Sequence, residues 1–207
     1  MPRPRDPFSQ ALEDLRKRVT DGGFTPGGPV VIIEEARRLG LSTTPVREAL
    51  AWLCGEGLLE RAPRTGYLAP RLDAALLRDR LWVRLRCLET SLELTADLAI
   101  SAAPAADMVD ECVVRDLFDR LVRATGNRAL IETFRRVDAQ LRTLGNAETR
   151  VFADIGDEAH ALARIEVVGS RTQLLAAIGA YHRRRMENAA VIVLEVERRA
   201  GRRSGED

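Results

Sequence analysis

Ser42-Thr-Thr-Pro-Val-Arg-Glu-Ala-Leu-Ala-Trp-Leu-Cys-Gly-Glu-Gly57 opens on hydroxyls, sets a proline in its first turn and runs on as an amphipathic segment. Pro45 suits a first turn, because the N–H it lacks would have no partner there. Ser42 or Thr44 is expected to cap the free backbone donors. Val46, Ala49, Leu50 and Leu53 recur at i, i+3, i+4 and i+7, which makes one buried stripe and leaves Thr43, Thr44 and Arg47 on the open side. One face serves a core and the other faces a partner, with helix-start donors and hydroxyls suited to phosphate.

The flanks extend this reading. Val30 to Leu39 reads as a preceding helix, and Gly40 closes it with the tight turn of a helix-turn-helix. Leu58 to Ala62 and Tyr67 to Pro70 read as two strands joined by Pro63-Arg64-Thr65-Gly66, a hairpin with a basic tip. Helix, turn, helix and hairpin together make a winged helix-turn-helix, in which the second helix enters a major groove of duplex DNA and the wing reaches backbone or minor groove. The candidate DNA-contacting residues are Ser42, Thr43, Thr44, Pro45, Arg47, Arg64, Thr65 and Gly66. Arg37 and Arg38 read as a solvated face or as phosphate contacts, and Trp52 and Cys54 as core and helix-end packing.

Charge is local rather than global. The 207 residues carry a net charge of only +1 and 45% are hydrophobic, enough for a packed core in two domains. From Arg37 to Arg71, however, six arginines (37, 38, 47, 61, 64, 71) face three glutamates (48, 56, 60). This near neutrality argues against sequence-blind DNA packaging. An architectural or protein-interaction winged-helix protein without an effector is the alternative reading. Cys54, Cys87 and Cys112 lack metal or redox spacing and read as buried thiols of a reducing cytoplasm. The start of the chain lacks a signal-peptide pattern and no apolar run is long enough to span a bilayer, so a cytoplasmic, nucleoid-associated protein without a membrane partner is expected.

Beyond Asp73 strand signals give way to helical periodicity. Leu81, Leu85, Leu88, Leu92, Ala96 and Ala99 form one stripe, and Leu130, Phe134, Val137, Leu141 and Leu144 another. Ser101 to Pro104 reads as a break before a helix carrying Val113, Val114, Leu117, Phe118 and Leu121, which Thr125-Gly126-Asn127 ends. Asp157 to Val168 and Arg171 to Arg199 are further helices. The expected fold is mainly α: a winged helix-turn-helix over 1–72, an all-helical bundle of five to seven helices over 73–199, and a disordered tail over 200–207. His160 and His182 are isolated histidines and read as ordinary surface or capped residues. Catalysis is not expected. Asp21-Gly-Gly-Phe-Thr-Pro-Gly-Gly lacks the lysine and hydroxyl of a phosphate loop, and no nucleophile–base spacing stands out.

The segments Phe24-Thr-Pro-Gly-Gly, Ala36-Arg-Arg-Leu-Gly-Leu-Ser-Thr-Thr-Pro-Val-Arg-Glu-Ala-Leu, Glu56-Gly-Leu-Leu-Glu and Thr65-Gly66 resemble the amino-terminal domain of GntR-family bacterial transcription regulators, over residues 8–70. That family often has arginine where this chain has Thr43, which leaves Arg47 as the base reader that the resemblance implies. Leu88-Glu89, Ala124-Thr-Gly-Asn-Arg-Ala-Leu and Leu174-Leu-Ala-Ala-Ile make the helical half similar to the FCD effector domain of the FadR-like branch. The resemblance implies a homodimeric repressor that binds a palindromic operator and responds to a small organic effector. Many members also hold a divalent metal through one aspartate and three histidines. Those positions fall here on Val114, Phe118, Arg171 and near Val193, so neither metal nor cofactor is expected, and the bundle centre should be apolar. The effector candidates are Arg171, Phe118, Val114 and Arg86.

Overall fold

The computed structural model describes residues 6–62, 66–96, 110–144 and 147–203. In the amino-terminal part α1 spans Pro7–Thr20, β1 Pro29–Val30, α2 Ile32–Leu39, α3 Thr43–Gly55, β2 Glu60–Ala62 and β3 Gly66–Leu68. Then follow α4 Ala74–Leu94, α5 Asp110–Arg123, α6 Arg128–Arg142, α7 Ala147–Val151, α8 Ile155–Val168, α9 Arg171–Glu187 and α10 Ala189–Arg203. The architecture is a winged helix with a helical carboxy-terminal part. Two compact units emerge: one of residues up to 73 with the described parts of 142–145 and 193–207, the other of 74–141 and 146–192.

In the first unit, Asp6 caps α1 by accepting from the Ser9 N–H at 3.1 Å, and Pro7 fills the first turn. Ala11, Leu15 and Val19 of α1 bury against α3, whose Val46, Ala49, Leu50 and Leu53 form the stripe read from the sequence. Gly40 ends α2 in the left-handed region at φ 65°, where the Leu41 N–H returns to the Ala36 carbonyl at 3.0 Å.

Local structure departs from expectation at the edges. Residues 29 and 30 are not helical: they form a third strand antiparallel to β3, with Val30 opposite Tyr67 and Pro29 opposite Leu68. Pro29 has no N–H to give and is tolerated at an edge, and Val30 is β-branched and buried. The sheet order is β1-β3-β2, so β3 is central, and both wing strands are shorter than expected. Residues 63–65 lie outside the described residues.

In the second unit α4 packs along α9 and α5 against α8. Leu85, Leu88, Leu92, Leu117, Phe118, Leu121, Phe134, Leu162 and Ile178 belong to one buried cluster. Ala96 is exposed just past the end of α4, so the stripe stops at Leu92; Ala99 and the expected break at 101–104 lie outside the described residues. Gly126, at φ 63°, follows α5 as expected. The single helix expected from Arg171 to Arg199 is instead two. Asn188 turns its side-chain amide onto the Arg184 carbonyl at 2.8 Å, a local bond that competes with the helical ladder and separates α9 from α10. Helix α10 runs to Arg203, past the point where a disordered tail was expected.

Candidate nucleic-acid interface

Helix α3 begins at Thr43, with Ser42 in extended backbone as its cap residue. The Ser42 hydroxyl makes no capping hydrogen bond, and Thr44 lies inside the helix, so neither caps as expected. Ser42, Thr43, Thr44 and Arg47 are exposed and Pro45 is half-buried, while the underside is closed by fully buried Val46, Ala49 and Leu50. This rigid seat is braced from the wing. Tyr67 of β3, itself buried, donates its hydroxyl to the Arg47 carbonyl at 3.2 Å. Tyr67 was not among the residues singled out, although its place in an alternating strand signals an inward side chain. Gly66 opens β3 opposite Ala62 at φ 92°, a backbone that suits glycine. Arg64 and Thr65 lie outside the described residues.

Ion pairs redistribute the local charge. Arg38 donates to Glu35 at 3.0 Å and also to Asp14, and buried Glu35 is 3.6 Å from Arg18. Arg38 therefore ties α2 to α1, and both it and Arg37 stay exposed. Arg16 grips Glu56. Trp52 is 56% exposed rather than core: it lies outside the 46/49/50/53 stripe, meets Phe8 edge-on at 6.1 Å and donates to Glu56 at 2.9 Å. Cys54 is half-buried and Cys87 buried, and burial pushes both thiols up from their ordinary range.

The four effector candidates do not form one constellation. Val114 and Phe118 are buried together in the bundle core. Arg86 is half-exposed, pairs with Glu89 and sits over the Trp82 ring. Arg171 donates to the Leu92 and Thr95 carbonyls and to the Thr95 hydroxyl at 3.1 Å, which satisfies acceptors at the carboxyl end of α4. Beside it lies a cavity of about 130 Å³ lined by Leu92, Ile165, Glu166, Ser170, Arg171 and Leu174. The metal set does not fit, since Val114 and Phe118 offer no donor atom and Arg171 is a cation. Among the described residues no three His, Cys, Asp or Glu side chains converge as a metal site.

The bundle centre is not apolar. Arg84 donates to His182 Nε2 at 3.1 Å and to Asp138 at 3.4 Å, and all three are buried. With Nε2 accepting, the His182 proton sits on Nδ1 and is donated to the Ile178 carbonyl at 2.8 Å. Burial, and then the Arg84 charge, hold this imidazole well below its usual pKa, so it is neutral rather than an ordinary surface group. Arg185, with no exposed surface, donates to Glu148 at 2.6 Å and to the Tyr181 carbonyl at 3.1 Å, lies 2.9 Å from Glu158 and stacks on the Tyr181 ring. Burial pushes the Tyr181 hydroxyl up to about 12. The signal for this network was spacing: Arg84 follows Leu77 and Leu81, and His182 and Arg185 follow Leu174 and Ile178, at core positions of their helices.

Residues 7–68 match the bacterial regulatory proteins of the gntR family. A relative from Agrobacterium vitis, an uncharacterized HTH-type transcriptional regulator in the TAR-I ttuE-ttuC' intergenic region, is 32% identical over 130 residues, 63% of this chain and 68% of that protein. The chain belongs to the gntR family. Another relative, an uncharacterized HTH-type transcriptional regulator in an unstable DNA locus of Streptomyces ambofaciens, is 34% identical over 60% of this chain and 48% of its own length. The gntR chain thus spans about half the length of that curated relative. Its fold is that of Escherichia coli McbR/YncC, with TM-score 0.68 at 16% identity over 89% of this chain and 97% of that one. No helix among the described residues is long and apolar enough to cross a membrane.

Proposed function

We propose that this gntR-family chain is a cytoplasmic, non-enzymatic transcription regulator that binds a palindromic operator as a homodimer. In this reading 1–72 is the DNA-binding domain and 73–199 the effector and dimerisation domain. The observation that carries it is the outward face of α3, where Thr43, Thr44 and Arg47 stand exposed over a fully buried underside. A recognition helix needs that division, because base edges are read only by side chains held at fixed reach in the major groove. Two such heads on a two-fold axis read two mirrored half-sites. Arg64, Thr65 and Gly66 at the wing add backbone contacts, each neutralised phosphate steepening the salt dependence by about 0.9 log units per log unit of salt.

The relatives' names as transcriptional regulators support this reading. The helical part takes a small organic effector, with Arg171 and the cavity beside it as the seat, while Phe118 and Val114 stay in the packed core and do not line it. Arg86 serves at the outer face. An effector that prefers one dimer geometry shifts head spacing and relieves repression; one that binds both geometries equally does nothing. Selection of duplexes from a random pool by the full chain, with its mass measured in solution, tests the proposal. A palindromic consensus bound by a dimer is the expected result. A monomer, or a pool without consensus, would overturn it and favour an architectural or protein-interaction role.

A further inference from the structure

Helix α3 presents two outward ridges at i, i+4 spacing, Thr43–Arg47–Ala51 and Thr44–Glu48–Trp52, and all six residues are exposed. Arg47 and Glu48 are the two charged side chains among them. Three acids nearby are engaged, Asp14 with Arg38, Glu35 with Arg38 and Arg18, and Glu56 with Arg16 and Trp52, while exposed Glu34 and Glu60 lie on α2 and β2 rather than on α3. Glu48 forms no ion pair or side-chain hydrogen bond among the described residues. Trp52, one turn further on, is turned to Glu56 and Phe8 and leaves the Glu48 carboxylate uncovered.

A carboxylate on a surface that approaches DNA weakens affinity, because it repels phosphate. Its use must lie in discrimination. The major groove offers amino donors only on cytosine N4 and adenine N6, and adenine sets the N7 acceptor beside its donor, which repels a carboxylate. Guanine and thymine present acceptors, O6 and N7 or O4, and are rejected outright. Resting on the reading that α3 enters the major groove, we infer that Glu48 is a second specificity-determining residue, whose carboxylate accepts from the N4 amino group of a cytosine in each half-site. The Arg47 guanidinium on the neighbouring ridge suits guanine O6 and N7. The two together select a C·G-containing step, and the acid suppresses binding to unrelated duplex.

Duplexes are selected from a random pool by the full chain and by its Glu48→Ala and Glu48→Gln variants, and the preferred bases are compared position by position. The wild-type chain is expected to prefer cytosine at one position per half-site. Glu48→Ala lowers that preference about tenfold, leaves the other positions intact and raises binding to unrelated duplex. Glu48→Gln moves the same position toward adenine, whose N6 and N7 edge an amide matches. Cytosine still preferred by both variants overturns the inference while leaving the DNA-binding reading intact. A wild-type chain that selects no sequence defeats the reading itself.

Discussion

Arg47 is the side chain on which the proposed base readout turns. Its helix buries residues 46, 49, 50 and 53, so 47 points out by geometry alone, and the Tyr67 hydroxyl holds the backbone beneath it. Arg47→Ala is expected to lose about 1–3 kcal/mol of operator binding and to relax preference at one base position. A gel-shift titration on the selected operator checks this; wild-type affinity would remove Arg47 from the readout. The same spacing argument was open to Trp52 and would have placed it outside. Reading it as core from its residue type was wrong, because a helix face and not intrinsic hydrophobicity decides burial. Arg38 shows the converse limit: its spacing gave exposure, while its partner Asp14 lies 24 residues away.

Turns set where the helices end, and here the glycines at 40 and 126 were legible, whereas neither Ser42 nor Thr44 caps the start of α3. Gly40 occupies the left-handed region with open space around its Cα, so a methyl group there meets strain but no neighbour. Gly40→Ala is expected to cost about 1–2 kcal/mol, measured as a loss in denaturant unfolding free energy of the full chain. An unchanged midpoint would show that the turn after α2 relaxes without cost. Less legible were β1, which exists only because β3 supplies its ladder partners, and the division of α9 from α10 at Asn188. Neither two residues of strand nor one asparagine outweighs helical periodicity when read locally.

The buried network of the helical unit gives two predictions that depend on packing between distant helices. Asp138→Leu should destabilise by about 3–5 kcal/mol, because it leaves the buried Arg84 charge without its acid, and Arg84→Met should remove the cation that faces buried Asp138. Making both changes together should cost less than the two single losses added, which a double-mutant cycle in urea tests. Additive losses would mean that the pair is not coupled. His182 faces Arg84, Arg185 and the Tyr181 ring and is held neutral when folded. Because its folded pKa is depressed, its contribution is present above the unfolded value near 6.5 and is lost as pH falls below it, since the unfolded chain then binds the extra proton. The folding equilibrium should weaken by up to about tenfold per pH unit on this account. His182→Gln, which keeps an acceptor for Arg84, should flatten that part of the profile; an identical acid slope would assign the loss to other groups.

Sequence alone determined the winged helix-turn-helix, the outward set Thr43, Thr44 and Arg47, and a helical second half, because each rests on periodicity and turn chemistry that act within a few residues. Tertiary structure decided which charges are spent and which are free. It seated Arg84 against His182, 98 residues on, and against Asp138, 54 residues on, and set Arg171 on the end of α4, 76 residues back. A charge enters a core only where distant partners replace its lost hydration, and such partners are assembled by packing rather than announced by local pattern.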